Sequence, residues 1–176
     1  MMSEKQNKNK ATRPRWRRWA MDILLVFVVL FAIHIWQTRD MPVGDAPQLQ
    51  GILLEGKTVS LKDFRGRPVL VHFWATWCPI CRTEEGSIDS VADDYQVLSV
   101  AMTSGKAEEI AAYMEENDLD FPVLMDESGI LAVAWGVRGV PSSFIIDPSG
   151  KIRHVSVGYT TELGLRFRLW LASWRS

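Results

Sequence analysis

At Val69-Leu70-Val71-His72-Phe73-Trp74 the chain carries six residues that are apolar apart from His72, and Trp77-Cys78-Pro79-Ile80-Cys81 follows almost at once. A run without polar alternation reads as a strand buried on both faces. Pro79 suits the first position of a helix, because it lacks only an N–H that would be unpaired there. The two cysteines of the chain are therefore placed where a covered strand passes into a helix. Two are too few for a disulfide-stapled mini-domain or a four-cysteine zinc site.

The rest of the pattern predicts a layered α/β domain. Leu49–Leu54 and Lys57–Leu61 read as strands about a Glu55-Gly56 turn, and Pro79 to about Tyr95 as a helix with Gly86 as a weak point or kink. Gln96–Met102 reads as a second buried strand. Lys106–Asn117 reads as an amphipathic helix with Ile110, Ala111 and Met114 on one face and Glu108, Glu109, Glu115 and Glu116 on another. A short strand at Phe121–Met125 and a short helix at Ser128–Trp135 follow. Ser142–Asp147 and Ile152–Val157 flank the hairpin signal Pro148-Ser149-Gly150-Lys151. Thr161–Trp174 closes the chain as a helix whose Leu163, Phe167, Trp170 and Trp174 share a stripe. Strands alternating with helices and ending in a hairpin plus helix predict a central sheet covered on both faces.

Unpaired N–H groups and the dipole at a helix N-terminus favour the thiolate of Cys78 and make it the attacking sulfur. Cys81, one turn on, is expected to be shielded and to resolve. Cys78 would attack a substrate disulfide, a mixed disulfide would form, and Cys81 would displace the reduced substrate while closing Cys78–Cys81. An inert structural bridge is disfavoured, since so tight a loop constrains little of the unfolded chain. Metal binding is the stronger rival. The histidines are His34, His72 and His154 alone, but a soft monovalent ion such as copper needs only two thiolates, so that reading stays open.

Charge is unevenly spread. Residues 1 to 20 carry seven Lys or Arg against Glu4, whereas from Arg39 onward 13 basic residues face 19 acidic ones. An acidic folded part argues against nucleic acid as a partner. Between these, the eighteen residues Trp19 to Trp36 are almost wholly apolar, with Asp22 and His34 as single polar interruptions. At about 1.5 Å per residue they cover about 27 Å, near the thickness of a hydrocarbon core, with Trp16, Trp19 and Trp36 as an aromatic belt. No small-x-small cleavage site follows, so an uncleaved anchor is expected rather than a signal peptide. The positive-inside rule puts a basic tail, 1–18, in the cytoplasm and the transmembrane helix at 19–38. All that follows would lie beyond a bacterial inner membrane, in the periplasm, where disulfide chemistry is permitted. Residues 39–47, with Pro42, Gly44 and Pro47, read as a tether of at most about 30 Å, and 48–176 as the folded domain.

Three segments carry a likeness to a known family. They are Gly56-Lys57-Thr58-Val59-Ser60-Leu61-Lys62-Asp63-Phe64-Arg65-Gly66, the strand into Phe73-Trp74-Ala75-Thr76-Trp77-Cys78, and Gly139-Val140-Pro141-Ser142-Ser143-Phe144-Ile145-Ile146-Asp147. Over about residues 45–174 the chain resembles the membrane-anchored TlpA-type branch of the thioredoxin superfamily. By its anchor, its Pro-Ile dipeptide and its layout it looks most like the suppressor-of-copper-sensitivity D type of periplasmic disulfide oxidoreductase. The resemblance implies a thioredoxin fold, a central mixed β-sheet with helices on both faces, here with an N-terminal β extension. It also implies that Pro141 is cis and lies against the cysteines, so that the Val140 backbone can pair with an extended substrate segment. Trp77, Pro79 and Ile80 would line the rest of the groove, and Trp74 would be core.

Two positions depart from that family. Ser142 stands where cytochrome c maturation relatives have an acidic residue, which weakens a haem-ligation role. His72 stands six residues before the first cysteine, where thioredoxins have a buried Asp and TlpA-like proteins commonly Asn. Sharing a strand face with Leu70 and Trp74, His72 points below Cys81 by analogy. It is a candidate relay for the Cys81 proton, with a pKa closer to neutral than a carboxylate's. Glu84, three residues after Cys81, matches an acidic position of the branch and is the second candidate. The plain alternatives are a buried neutral imidazole and an exposed helix glutamate.

The expected activity is thiol-disulfide exchange on protein thiols and disulfides, with no organic cofactor or metal beyond the Cys78–Cys81 pair. The resemblance implies a reductase, recharged by a membrane electron transporter of the disulfide-reductase type and linked to copper tolerance. A disulfide-donating oxidase is the rival within the class, although Ile80 offers no charge or donor to hold a strongly stabilised thiolate. A copper-binding module, a cytochrome c maturation thioredoxin and a purely structural membrane adaptor are the others.

Overall fold

The computed structural model describes residues 15–39 and 41–174. Most of the expected basic tail, residues 1–14, lies outside them. The described residues fall into two compact units that part between Trp36 and Gln37.

The first unit is helix α1, Arg15–Thr38, 24 residues long, about 36 Å at the α-helical rise. Its apolar side chains from Ile23 to Phe31 are all exposed. Among the described residues no helix is long and apolar enough to cross a membrane.

The second unit is built on a six-stranded sheet of β1 (Gly44–Asp45), β4 (Val69–Trp74), β5 (Gln96–Met102), β6 (Val123–Asp126), β7 (Ser142–Ile146) and β8 (Lys151–Val157), in the order β1-β8-β7-β4-β5-β6. β4 is parallel to β5 and antiparallel to β7, so the sheet is mixed. A separate antiparallel pair, β2 (Gln50–Ile52) and β3 (Thr58–Ser60), forms the N-terminal extension. Helices α2 (Pro79–Asp94), α3 (Ala107–Glu116), α4 (Ile130–Ala134) and α5 (Glu162–Ser173) complete the fold.

All six residues of β4 are buried, as an uninterrupted apolar run predicts. Leu70 and Trp74 pack on one face with both cysteines, Ile88, Leu165 and Leu169. Val69, Val71 and Phe73 pack on the other with Trp135 and Phe144, where three aromatic rings meet tilted or edge-on at centroid distances of 5.0 to 5.8 Å. His72 therefore faces the cysteine side of the sheet.

Four local features differ from the sequence expectation. Gly44 and Asp45, inside the segment read as tether, pair with Ile152 and Lys151 as an edge strand, and Met41 is buried. On α3, Ile110 and Met114 are buried but Ala111 is exposed, and Tyr113 takes the flank instead. Tyr113 is drawn in by ring contact with Trp74 and a hydrogen bond to Glu85. β6 begins at Val123 rather than Phe121, and just ahead of it the Pro122 carbonyl accepts both the N–H and the hydroxyl of Ser99. It runs to Asp126, whose carboxylate accepts the Leu131 and Ala132 N–H groups at the start of α4.

The fourth is Gly86, expected to weaken or kink α2, which lies within a continuous helix. A Cβ there would meet nothing within 4 Å. Gly86→Ala should therefore raise unfolding stability by about 0.5–1 kcal/mol in a urea titration, from backbone entropy alone. A loss of stability would show that the position needs glycine for a reason the packing does not contain.

Candidate active site

Four residues separate the end of β4 from the start of α2. The Cys78 N–H donates to the Ala75 carbonyl at 3.1 Å, and Cys78 itself is the N-cap, with Pro79 in the first turn. The Cys81 N–H donates to Cys78 Sγ at 3.3 Å, so the sulfur occupies the place of an N-cap oxygen. The approach is pinned from the side. Thr76 N–H donates to Ser104 Oγ and Trp77 Nε1 to the Thr103 carbonyl, each at 3.1 Å.

Opposite, the Val140-Pro141 bond is cis, and Cys78 Sγ–H donates to the Val140 carbonyl at 3.5 Å. Of the groove residues named from the family likeness, Val140 thus meets the sulfur through its carbonyl, while Trp77 and Pro79 flank Cys78 in the chain. Trp77 and Ile80 are 57% and 48% exposed beside it. Trp77 also lines an open groove with Thr103, Ser104 and Tyr113, residues that the sequence reading did not single out.

Both cysteines are free thiols, and they are 3% and 2% exposed. The expected contrast between a reachable and a shielded sulfur is therefore not one of surface area. It is chemical. Burial, and after it the hydrogen bond with Cys78, push the Cys81 thiol far above the ordinary range, so Cys81 keeps its proton until a base removes it.

Behind Cys81 the structure brings the two relay candidates together. His72 and Glu84 are 2% and 1% exposed, with His72 Nε2 3.6 Å from Glu84 Oε1. Glu84 Oε2 accepts the Thr160 N–H at 2.8 Å, while among the described residues Oε1 has no hydrogen-bond partner. His72 Nδ1 lies 2.9 Å from Ser143 Oγ, its direct partner across β4 and β7. With Nδ1–H donating to that hydroxyl, Nε2 turns a lone pair toward Glu84, an assignment that follows from the network. A protonated Oε1 is the donor that lone pair lacks, though 3.6 Å is too long for the bond as it stands.

Burial pushes the Glu84 carboxyl up to about 7, with the Thr160 N–H pulling the other way, and pushes the His72 imidazole down to about 3. This reverses the sequence expectation. The carboxyl, not the imidazole, titrates near neutrality, because desolvation disfavours whichever form is charged. Nor is Glu84 an exposed helix residue. The sequence reading missed Ser143 and Thr160 in this cluster. Ser143 lay in the motif around Pro141, and the two-residue strand period could have aimed it at His72. Thr160, 76 residues from Glu84, carried no local signal.

Among the described residues no group of three or more His, Cys, Asp or Glu side chains could hold a metal ion. Two thiols one helical turn apart, with a proton acceptor buried behind the second, can close on each other and reopen. Fold and site together define a thiol-disulfide oxidoreductase of thioredoxin fold.

The chain belongs to the AhpC/TSA family, whose profile matches residues 43–155. It is 32% identical over 154 residues to the thioredoxin-like protein of Haemophilus influenzae, covering 86% of this chain and 92% of that one. It is 35% identical over 138 residues to the thiol-disulfide oxidoreductase ResA of Bacillus cereus, covering 76% and 80%. Among solved structures, the thioredoxin-family thiol:disulfide interchange protein of Chlorobium tepidum superposes with a TM-score of 0.64 at 28% identity, over 76% of this chain and 98% of that one. Within the family the chain is a thiol-disulfide oxidoreductase of the TlpA/ResA/DsbE-like kind.

Proposed function

We propose that the chain is a membrane-tethered reductase of protein disulfides, working on the periplasmic face of a bacterial inner membrane. The observation that carries the reductase reading is the buried carboxyl behind a thiol that burial holds protonated. In the first step Cys78 gives up its proton and its sulfur attacks one sulfur of a substrate disulfide, while the other substrate sulfur leaves as a thiolate and takes up that proton. Cys81 then passes its proton to the Glu84 carboxylate, and its sulfur attacks Cys78 Sγ. The Cys78–Cys81 bond forms, the mixed disulfide breaks, and the second substrate sulfur leaves. Two electrons pass from the dithiol to the substrate. Strong oxidants of this class instead stabilise their reduced form as a thiolate. Here the Val140 carbonyl takes the Cys78 S–H, and Ile80 between the cysteines brings no charge.

The 24-residue α1, with its exposed apolar middle and the basic run before it, supports the anchor and its orientation. Because the periplasm supplies oxidant but no reduced thiol pool, the enzyme needs electrons from a membrane transporter. The Pro-Ile dipeptide and the layout support a role in copper tolerance, the enzyme keeping a partner's thiols reduced.

Cys81→Ser, expressed in cells, should accumulate mixed disulfides through Cys78, and the captured proteins should include both a soluble substrate and a membrane electron donor. Adding Cys78→Ser should abolish capture. No captured species, together with stoichiometric copper binding and no insulin reduction by the wild type, would instead establish a copper module.

A further inference from the structure

Helix α5 is apolar on two opposite sides. Leu165, Leu169 and Ala172 are buried against the domain. On the outward side Leu163, Phe167, Trp170 and Trp174, the stripe noted in the sequence, are 79%, 57%, 50% and 73% exposed. The rings form a continuous ridge, with Phe167 and Trp170 stacked at 6.0 Å and Trp170 and Trp174 edge-on at 5.8 Å. At about 200 Å² for a large aromatic side chain the ridge presents roughly 500 Å² of apolar surface, at the upper end of what soluble monomers leave uncovered.

The charge around this ridge differs from that of the rest of the domain. Residues 39–150 hold eight basic and eighteen acidic residues, whereas residues 151–176 hold five basic residues and Glu162 alone. On one flank of the ridge Arg166 is bonded to Glu162 and Asp94. On the other, Arg168 donates to a neutral hydroxyl, Ser156 Oγ, at 3.0 Å, and lines a small cavity of about 80 Å³ with Arg153, His154 and Leu171. Arg153 is paired with Asp147, and among the described residues Arg168 has no acidic partner.

A second copy docked ridge to ridge in antiparallel order would set Arg168 against Arg168, which like-charge repulsion opposes. Trp and Phe on one face with Arg beside them is the pattern of a helix lying in a bilayer interface, where rings enter at headgroup depth and cations meet lipid phosphates. Only residues 39–43 separate the end of α1 from the start of β1, at most about 17 Å of extended chain.

We propose that the outward face of α5 docks on the surface of an anionic phospholipid bilayer, with the Phe167–Trp170–Trp174 ridge in the interface and Arg168 on the headgroups. This rests on the reading of α1 as a membrane anchor, to which it adds a second contact that holds the domain in one orientation. α5 packs its buried face on α2, so the contact also fixes the helix that bears Cys78.

The folded unit can be tested without α1, since Gln37–Ser176 form a compact unit of their own. Residues 39–176 should co-sediment with phosphatidylethanolamine–phosphatidylglycerol vesicles and not with phosphatidylcholine vesicles. Brominated acyl chains should quench their tryptophan fluorescence. Replacing Phe167, Trp170 and Trp174 together with Ser should weaken binding at least tenfold and leave insulin reduction in solution unchanged. Arg168→Gln should weaken binding severalfold and reduce its salt dependence.

In nanodiscs of the same anionic lipids, Trp170 and Trp174 of the full chain should be protected from hydroxyl-radical oxidation. Vesicle binding that is absent, or indifferent to the triple substitution, overturns the proposal, as does a ridge covered by a concentration-dependent dimer. Full-length protein that alkali strips from membranes overturns the anchor reading. Full-length protein that resists stripping but leaves both tryptophans unprotected overturns the α5 contact alone.

Discussion

Glu84→Gln slows resolution of the mixed disulfide by about a hundredfold, at the lower end of what a positioned general base contributes, and removes the rise of that step with pH near neutrality. Both effects have one source. The Cys81 thiol is held well above the ordinary range by burial, so attack on Cys78 Sγ waits for a base, and the carboxyl behind it is pushed up to about 7. Below that pH Glu84 carries a proton and cannot accept another. Above it the carboxylate is available, and the rate reaches a plateau. Glutamine has the same shape and can still accept the Thr160 N–H, so the fold is kept while the proton acceptor is lost. The first step, attack by Cys78, is unaffected, and rapid mixing with a fluorogenic disulfide should show a full burst of mixed disulfide followed by a slow second phase.

His72→Asn behaves differently. The neutral imidazole turns no N–H toward Glu84, whereas an amide N–H would favour the carboxylate. The pH midpoint therefore moves down, and the plateau rate stays close to that of the wild type. If resolution in Glu84→Gln stays within about threefold of wild type at every pH, Glu84 is not the base.

Much of this site could be read from residue order alone, because its parts lie where local rules are strong. An apolar run leaves a strand little choice but to be covered on both faces, and Pro79 one residue after Cys78 fixes where the helix starts. The strand period aligned His72 with Leu70 and Trp74, and the family likeness put that face on the cysteine side. What could not be read was depth. Glu84 sits on a helix between Thr83 and Glu85, and local charge suggested solvent. It is buried because α2 turns that side to the sheet and the segment before α5 closes over it, bringing the Thr160 N–H to its carboxylate. The inversion of the two pKa values has the same origin, since desolvation depends on tertiary packing that no window of sequence contains. On α5 periodicity found the aromatic stripe correctly, but an apolar stripe does not say which of two apolar faces the domain will cover.

Stability against pH gives a second and independent reading of the buried pair. For Glu84 the folded pKa, about 7, lies above the ordinary 4.5. The folded state holds this proton more tightly, so the contribution to stability is full below pH 4.5 and is lost as pH rises through 7, about 3 kcal/mol in all. For His72 the folded pKa, about 3, lies below the ordinary 6.5. Its contribution is full above pH 6.5 and is lost as pH falls through 3, about 5 kcal/mol. Between pH 4.5 and 6.5 the two slopes are equal and opposite, at about 1.4 kcal/mol per pH unit, so in the wild type these two contributions cancel. The single variants should uncover them in opposite directions. Glu84→Gln keeps only the histidine slope, so its stability climbs with pH across the interval. His72→Asn keeps only the carboxyl slope, so its stability falls. Other groups contribute alike to all three proteins and cancel in the differences. Urea unfolding of the three proteins through this range measures the slopes directly, and variant curves running parallel to the wild type would mean that neither group is buried neutral in the folded protein.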